Sequence, residues 1–262
     1  MFAICNLSVV PVRAEASDKS ELITQLLFGE TVQVIDKKES WRKVKLLHDD
    51  CVGWVDVKQI LQLPDEELNA MLAQPQSITF DIVQLVVFEQ HHIIPFVLGS
   101  TLPFYTDKRF HFAGMEYAYD GNVKTFSKAD RSQLVENAYM YLNSPYLWGG
   151  RSPFGVDCSG YTQMVYKLSG FRIRRDAWQQ AEQGITLNLL EEALPGDLAF
   201  FDNAEGRITH VGIILPGNRI IHASGRVRID KLDHHGIFNE TTQKYSHKLR
   251  VIKRHDFGGP MG

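Results

Sequence analysis

Three cysteines in 262 residues are few, and Cys5, Cys51 and Cys158 stand far apart. Such a set makes a poor disulfide framework, and without a Cys-x-x-Cys pair it lacks a structural zinc signature. No apolar run approaches the roughly 20 residues of a membrane span. No basic tract marks a nucleic-acid or membrane-surface footprint, because 28 basic and 31 acidic residues are well mixed, for a net charge of −3. The first sixteen residues, MFAICNLSVVPVRAEA, end in an Ala-x-Ala-like stretch but have no basic start, and Asn6 and Pro11 interrupt the apolar run. A secretory leader needs both features. The segment therefore reads as the first strand of a domain, and the expected compartment is the cytoplasm, where unpaired thiols persist. Long tracts of low hydrophobicity and high charge are missing as well, which predicts a folded chain.

What is present is 44% apolar residues, with 20 glycines and 10 prolines, enough for one to three domains. Residues 1–63 hold short β-branched runs (LSVVPVRAE, WRKVKLL, CVGWVDV) broken by Pro11, Gly29, Asp49-Asp50 and Gly53, the texture of a small barrel. Residues 64–75, PDEELNAMLAQP, begin and end on proline and predict a linker helix. Residues 76–126 return to strand signals, with aromatics on alternate positions in FHFAGMEYAYDGNVK, and predict a second β domain of similar size. From residue 127 to 262 the pattern changes. SKADRSQLVENAYMYLN has helical spacing with a start at Ser127 and Asp130, DCSGYTQMVYKLSG predicts a second helix closed by Gly170, and GDLAFFD, HVGIIL and RIIHAS predict strands. The expected fold is multidomain α+β, two small all-β barrels followed by a domain of helices and then an antiparallel sheet.

The chemistry concentrates in YLWGGRSPFGVDCSGYTQMVY. A glycine- and aromatic-rich loop delivers Cys158 to the first turn of a helix, with Asp157 as its N-cap. Unpaired backbone N–H groups and the helix dipole favour thiolate over thiol there, and the same N–H groups can hold an oxyanion. A buried cysteine is by itself more often a small hydrophobe, but Ser159-Gly160 and the glycine-rich approach leave this sulfur room. Two histidines supply a base and its orienter. If the Pro216-Gly217-Asn218 loop has three residues, His210 pairs across from Ser224 and lies diagonal to His222, so that both rings share one face of a hairpin. That is the nucleophile–base–orienter arrangement of a triad. Cys158, His210 and His222 as metal ligands is the less favoured alternative, since no close ligand pair accompanies them. His91-His92 and His234-His235 read as surface or loop residues, and Gly149-Gly150 as a close-approach turn.

These residues resemble the NlpC family of papain-like cell-wall cysteine peptidases with bacterial SH3-like domains at the N-terminus. The likeness runs through YLWGGRSPFGVDCSG, RRDAWQQAEQG, LPGDLAFFD, THVGIIL and IIHASG in order, over roughly 130 residues, and more weakly through VPVRAEASDKSELITQLLFGE, WRKV and GWV. It implies a papain-like domain over residues 127–262 behind two SH3-like barrels. It also implies hydrolysis of the γ-D-glutamyl–diamino acid bond in peptidoglycan-derived peptides by a Cys158–His210–His222 triad. Family members with this layout require a free N-terminal L-Ala, as recycling of released murein peptides demands. The resemblance further places Tyr146 and Trp148 on the cleft wall, Asp157 and Ser159 beside the sulfur, Asp176 on the substrate ammonium, Arg175 on a substrate carboxylate, and Glu30 as a second group on the amine. Where the family often carries an aromatic before GWV, this chain has Asp50-Cys51.

The expected partner is a small murein stem peptide, with no cofactor, metal, nucleic acid or membrane, and the expected state is a monomer. Two rivals stand beside this expectation. One is a wall-binding protein with a degenerate catalytic domain, and the other an acyltransferase or amidase using the same Cys–His pair.

Overall fold

A computed structural model of the chain describes residues 1–88 and 92–255. His91 and the C-terminal DFGGPMG lie outside the described residues. The chain divides into two compact units, Met1–Ser127 and Lys128–Gly262.

In the N-terminal unit, strands Phe2–Cys5, Val9–Arg13, Leu22–Leu27, Thr31–Lys38, Trp41–Leu46, Val52–Asp56 and Ile60–Leu63 join in one antiparallel sheet. Alternation does the work expected of it: in VVPVR, Val10 and Val12 are buried while their neighbours are half-buried. Val10, Val12, Leu26, Val44 and Val55 form one core, with half-buried Cys51 packed at its margin. Gly29 takes a left-handed turn, φ +76°, where an added Cβ would lie 2.0 Å from the Thr101 carbonyl oxygen. Only glycine fits there.

The predicted linker helix spans Asp65–Leu72 with Pro64 as its N-cap. It is more than a connector, since Leu68 is buried in the second core of this unit. Among the described residues, 76–126 do not close a second sheet. They pair as three two-stranded ribbons, Ser77–Thr79 with Val123–Thr125, Val83–Phe88 with His92–Val97, and Arg109–Phe112 with Met115–Ala118. The reason is where their aromatics go. Phe96, Phe110, Phe112, Tyr117 and Tyr119 bury against Phe28, Ile4 and Leu63 of the first segment, with Phe28 stacked on Phe96 at 4.0 Å. One pooled core replaces the separate second core that the pattern suggested.

The elements of the C-terminal unit are numbered within it: α1 (Leu134–Tyr139), α2 (Cys158–Lys167), α3 (Ala177–Glu182), β1 (Ile185–Leu187), β2 (Leu198–Asp202), β3 (Ile208–Leu215), β4 (Arg219–Ser224), β5 (Arg226–Asp233), β6 (Gly236–Asn239) and β7 (Lys244–Arg254). Helix α1 and the 3₁₀ turn before it start later than Ser127, because Asp130 is the cap: its Oδ1 accepts from the Ser132 N–H at 3.0 Å. Every residue of α2 is buried, which makes it the central helix of the unit. Gly170 closes the turn after it in a left-handed conformation. The seven strands run in the order β1-β7-β2-β3-β4-β5-β6, all antiparallel. β7 also pairs with β6 through Lys244–Lys248 and with β2 through Lys248–Lys253, so the sheet closes on itself.

The hairpin register came out as predicted. The three-residue loop places Ile213 opposite Ile221 and Leu215 opposite Arg219, with Gly217 and Asn218 in left-handed conformations. Continuing at period two, His210 and His222 share a face with Ile214 and Ile220. The β4–β5 register, Ile220 opposite Asp230, adds Asp230 to that face.

Candidate active site

The loop 145–157 delivers Cys158 to α2. Asp157 caps the helix: its Oδ1 accepts from the Gly160 N–H at 2.6 Å and its Oδ2 from the Gly149 N–H at 2.8 Å. One carboxylate thus ties the glycine turn to the helix start. Gly160 is needed for the same contact, since a Cβ there would sit 2.2 Å from the Gly150 carbonyl oxygen. Gly149-Gly150 is accordingly a close-approach turn.

Arg175 completes this anchor. Its Nη1 donates to Asp157 Oδ1 (3.0 Å) and Ser159 Oγ (2.9 Å), and its Nη2 to Asp157 Oδ2 (2.6 Å). The side chain is 2% exposed, so the resemblance's assignment of Arg175 to a substrate carboxylate gives way to a buried pair with Asp157. Desolvation explains the switch: a guanidinium this deep needs a carboxylate partner, and the capping Asp157 is adjacent. Asp157 and Ser159 are likewise buried and engaged with each other and with Arg175.

Cys158 Sγ lies 3.9 Å from the Thr209 carbonyl oxygen, next to His210. Burial, then the Asp157 charge, pushes its thiol up to about 12, against smaller opposing effects from the Val211 N–H, Arg175 and the Ser159 N–H. The helix start alone predicts a thiolate; burial wins, and the resting group is a thiol. The Tyr146 phenol, raised to about 12 by burial, then by Cys158 and Asp157, faces the same sulfur. Trp148 and Asp176 are exposed. Asp176 follows Arg175 at the start of α3, its N–H donating to Gln179 Oε1 at 3.1 Å.

The histidines form a line. His210 Nε2 meets His222 Nδ1 at 2.8 Å, and His222 Nε2 meets Asp230 Oδ2 at 3.0 Å. All three are buried. Burial raises the Asp230 carboxyl, but hydrogen bonds from His222 and Arg228 outweigh this and hold it below the usual range. His210 is lowered well below the ordinary imidazole value by burial, then by His222 and His247. His247, on β7, stacks on the His210 ring at 4.0 Å between centroids.

Neither Asp230 nor His247 was foreseen from sequence, although RVRIDKLD alternates as a strand should. The imidazoles of His210, His222 and His247 bring three possible metal donors within 4.8 Å. Three of their nitrogens are already spent in the line to Asp230, a proton-transfer arrangement.

Glu30 belongs to the N-terminal unit, where it is buried and its Oε2 accepts from the Leu27 N–H at 2.9 Å. His234 and His235 lie exposed in the turn before β6, and His92 is exposed at the start of its ribbon.

Known proteins resemble this chain. The NlpC/P60 family matches residues 143–246, and the bacterial dipeptidyl-peptidase Sh3 domain matches residues 12–60. A γ-D-glutamyl-L-lysine dipeptidyl-peptidase of Bacillus subtilis is 39% identical over 215 residues, 76% of this chain and 71% of that protein. Its namesake from Bacillus cereus is 28% identical over 234 residues, covering 79% and 68%. The crystal structure of an NlpC/P60 family protein from Bacillus cereus superposes with a TM-score of 0.82 over 97% of this chain and 99% of that one, at 21% identity, and shows the common fold. No helix among the described residues is long and apolar enough to cross a membrane. A cysteine opening a buried helix, a buried His–His–Asp line and a relative 39% identical across 71% of its own length agree: the chain belongs to the NlpC/P60 family of cysteine peptidases, with a bacterial SH3 domain ahead of its peptidase unit.

Proposed function

We propose that the enzyme hydrolyses the γ-D-glutamyl–diamino acid bond of murein-derived peptides bearing a free N-terminal L-Ala. Cys158 is the nucleophile, His210 the general base and His222 its orienter. The observation that carries the mechanism is the unbroken line Asp230–His222–His210, whose preceding residue, Thr209, has its carbonyl oxygen 3.9 Å from Cys158 Sγ.

Asp230 fixes the proton of His222 on Nε2, so Nδ1 is the acceptor for His210 Nε2–H. That leaves His210 Nδ1 as the basic nitrogen. It takes the thiol proton as sulfur attacks the γ-carbonyl, while N–H groups at the start of α2 hold the oxyanion. His210 then gives the proton to the leaving amine, and water hydrolyses the thioester. The relatives' name, γ-D-glutamyl-L-lysine dipeptidyl-peptidase, supports the choice of bond.

In this reading Tyr146 and Trp148 wall the cleft, and Asp176, exposed next to the Asp157–Arg175 anchor, selects a free amine. A carboxylate placed there penalises a substrate that offers a neutral amide instead. We place the enzyme in the cytoplasm as a monomer acting on released peptides, a setting that suits three unpaired cysteines. Residues 76–126 are taken as a degenerate second SH3-like domain, a reading supported by short antiparallel ribbons around an aromatic core.

Mass-spectrometric product analysis tests the proposal. L-Ala-γ-D-Glu-diaminopimelate should yield L-Ala-D-Glu, its N-acetylated form should resist, and Cys158→Ala should be inactive. Equal cleavage of both peptides removes the amine-selection role of Asp176. A new amide or ester in place of hydrolysis indicates a transferase. No reaction with either peptide favours the wall-binding alternative.

A further inference from the structure

The C-terminal unit carries an open groove of about 910 Å³ whose lining includes Asp202, Thr209, His235, His247 and Lys248. Two of these tie it to the reacting centre. The Thr209 carbonyl oxygen is 3.9 Å from Cys158 Sγ, and His247 is stacked on His210. Tyr146 and Asp157 of the loop before α2, Ser159 of α2 itself and Arg175 ahead of α3 are not part of its lining. The groove therefore opens on the imidazole side of the sulfur.

Chemistry decides what belongs on that side. When a peptide acylates a cysteine, the departing nitrogen must be protonated, and the imidazole that took the thiol proton returns it. The leaving amine thus lies against His210, and the rest of the leaving group occupies the space beyond. In the reaction proposed above, that group is a diamino acid whose second amine is an ammonium ion at neutral pH.

Asp202 is placed to receive such an ion. Its side chain lines the groove yet is only 7% exposed, and Arg250 Nε approaches its Oδ2 no closer than 3.7 Å from a side chain that is 64% exposed. Its Oδ1 is buried with no hydrogen-bond partner. A buried carboxylate oxygen left without a donor is a standing cost that needs a reason. The backbone points the same way. Phe201 pairs with His210, and the register shifts between Phe201 and Asp202, a bulge of the sort that re-aims a side chain beside an active site.

We propose that this groove is the leaving-group subsite and that Asp202 recognises the second ammonium of the diamino acid. Lys248 and His235, exposed in the same groove, supply donors for the carboxylate of that residue or of the one following it. This inference rests on the γ-D-glutamyl–diamino acid reading of the reaction.

The test compares kcat/KM for L-Ala-γ-D-Glu-L-Lys and for the same peptide ending in L-norleucine, which is lysine without the ammonium, on wild type and Asp202→Asn. Wild type should prefer lysine by about 10-fold or more, and D202N should bring the ratio to within about 3-fold of one. A wild-type ratio near one overturns the inference, as does a lysine preference that survives in D202N. Should D202N fail to fold, Asp202→Glu serves: its carboxylate reaches one methylene further and should shift preference from lysine toward ornithine. No such shift overturns the assignment of Asp202. Cleavage of neither peptide by wild type overturns the proposed reaction, and this inference with it.

Discussion

Asp230 Oδ2 bonds His222 Nε2 at 3.0 Å, and that one contact sets the direction of every proton in the site. With the His222 proton held toward Asp230, its Nδ1 can only accept, and the 2.8 Å bond from His210 follows. Arg228 pairs with the same carboxylate at 2.7 Å, so Asp230 stays ionised and cannot take the proton for itself.

Asp230→Asn should therefore damage turnover far more than folding. An amide can donate to His222 Nε2, which flips the tautomer and turns His222 Nδ1 into a donor facing His210. The expected loss in kcat is about 10²- to 10⁴-fold, the range for a triad whose orienting carboxylate is replaced by its amide. Steady-state kinetics beside circular dichroism check this. A D230N enzyme within 3-fold of wild type would mean, on the order-of-magnitude scale of that comparison, that tautomer control is not in play.

The reactive pair is predicted to rest as thiol and neutral imidazole. Burial raises Cys158 to about 12 and lowers His210, and both shifts oppose an ion pair. Iodoacetamide alkylation of Cys158 should be slow at neutral pH and keep rising into the alkaline range. An alkylation rate that is already flat in the acidic range would reveal a stable thiolate. The lowered His210 also keeps its base form below the usual imidazole range, so the acid limb of kcat/KM should fall below about 6.5.

Much of this site was legible in the residues, and the remainder was hidden for physical reasons. HVGIIL and RIIHAS at period two, joined by Pro216-Gly217-Asn218, suffice to put His210 and His222 on one face, because a turn of known length fixes register. Asp230 was out of reach because RVRIDKLD mixes charge and apolar residues like any exposed strand. Only its pairing with β4 aims it at His222. The lone residue between these strands, Gly225 at φ +70°, was the available signal. His247 lies on a long β7 of exposed and half-buried residues with a single buried position, and so no core pattern to betray it. Arg175 was expected on a substrate carboxylate and not on Asp157, since the burial of that pair is a property of packing. The pooled aromatic core of the N-terminal unit was missed likewise, since alternation shows that Phe110 and Phe112 point inward but not against which segment.

Arg175→Ala should unfold the approach to Cys158. Removing the guanidinium leaves the Asp157 carboxylate, 9% exposed, with only backbone N–H donors and the Ser159 hydroxyl and no counter-charge among them, and an unpaired buried charge costs about 3–5 kcal/mol. Arg175→Lys should recover only part of this, because an ammonium cannot reproduce the two-pronged contact to Asp157 with the added bond to Ser159. Urea denaturation midpoints of wild type, R175K and R175A should fall in that order. Equal midpoints for R175K and wild type would show that charge alone suffices.

Stability should decline on mild acidification, and the histidines determine where. His210 is lowered by burial, then by its histidine neighbours. His247, lowered to about 4, and His255, also to about 4, owe their shifts first to burial. A folded-state value below the unfolded one means that the folded protein prefers the neutral ring. The stability this confers is complete above the unfolded value of about 6.5 and is lost as pH falls toward the folded values, because the unfolded chain binds more protons. The melting temperature should thus be level above about pH 7 and fall between roughly pH 6.5 and 4. His255→Gln should flatten part of that slope. His255 sits against Tyr166 at 5.5 Å between ring centroids, away from the Cys158–His210 pair, so its effect on stability can be read apart from catalysis. A melting temperature that holds constant from pH 7 to 4 would mean that these rings accept protons in place, without unfolding.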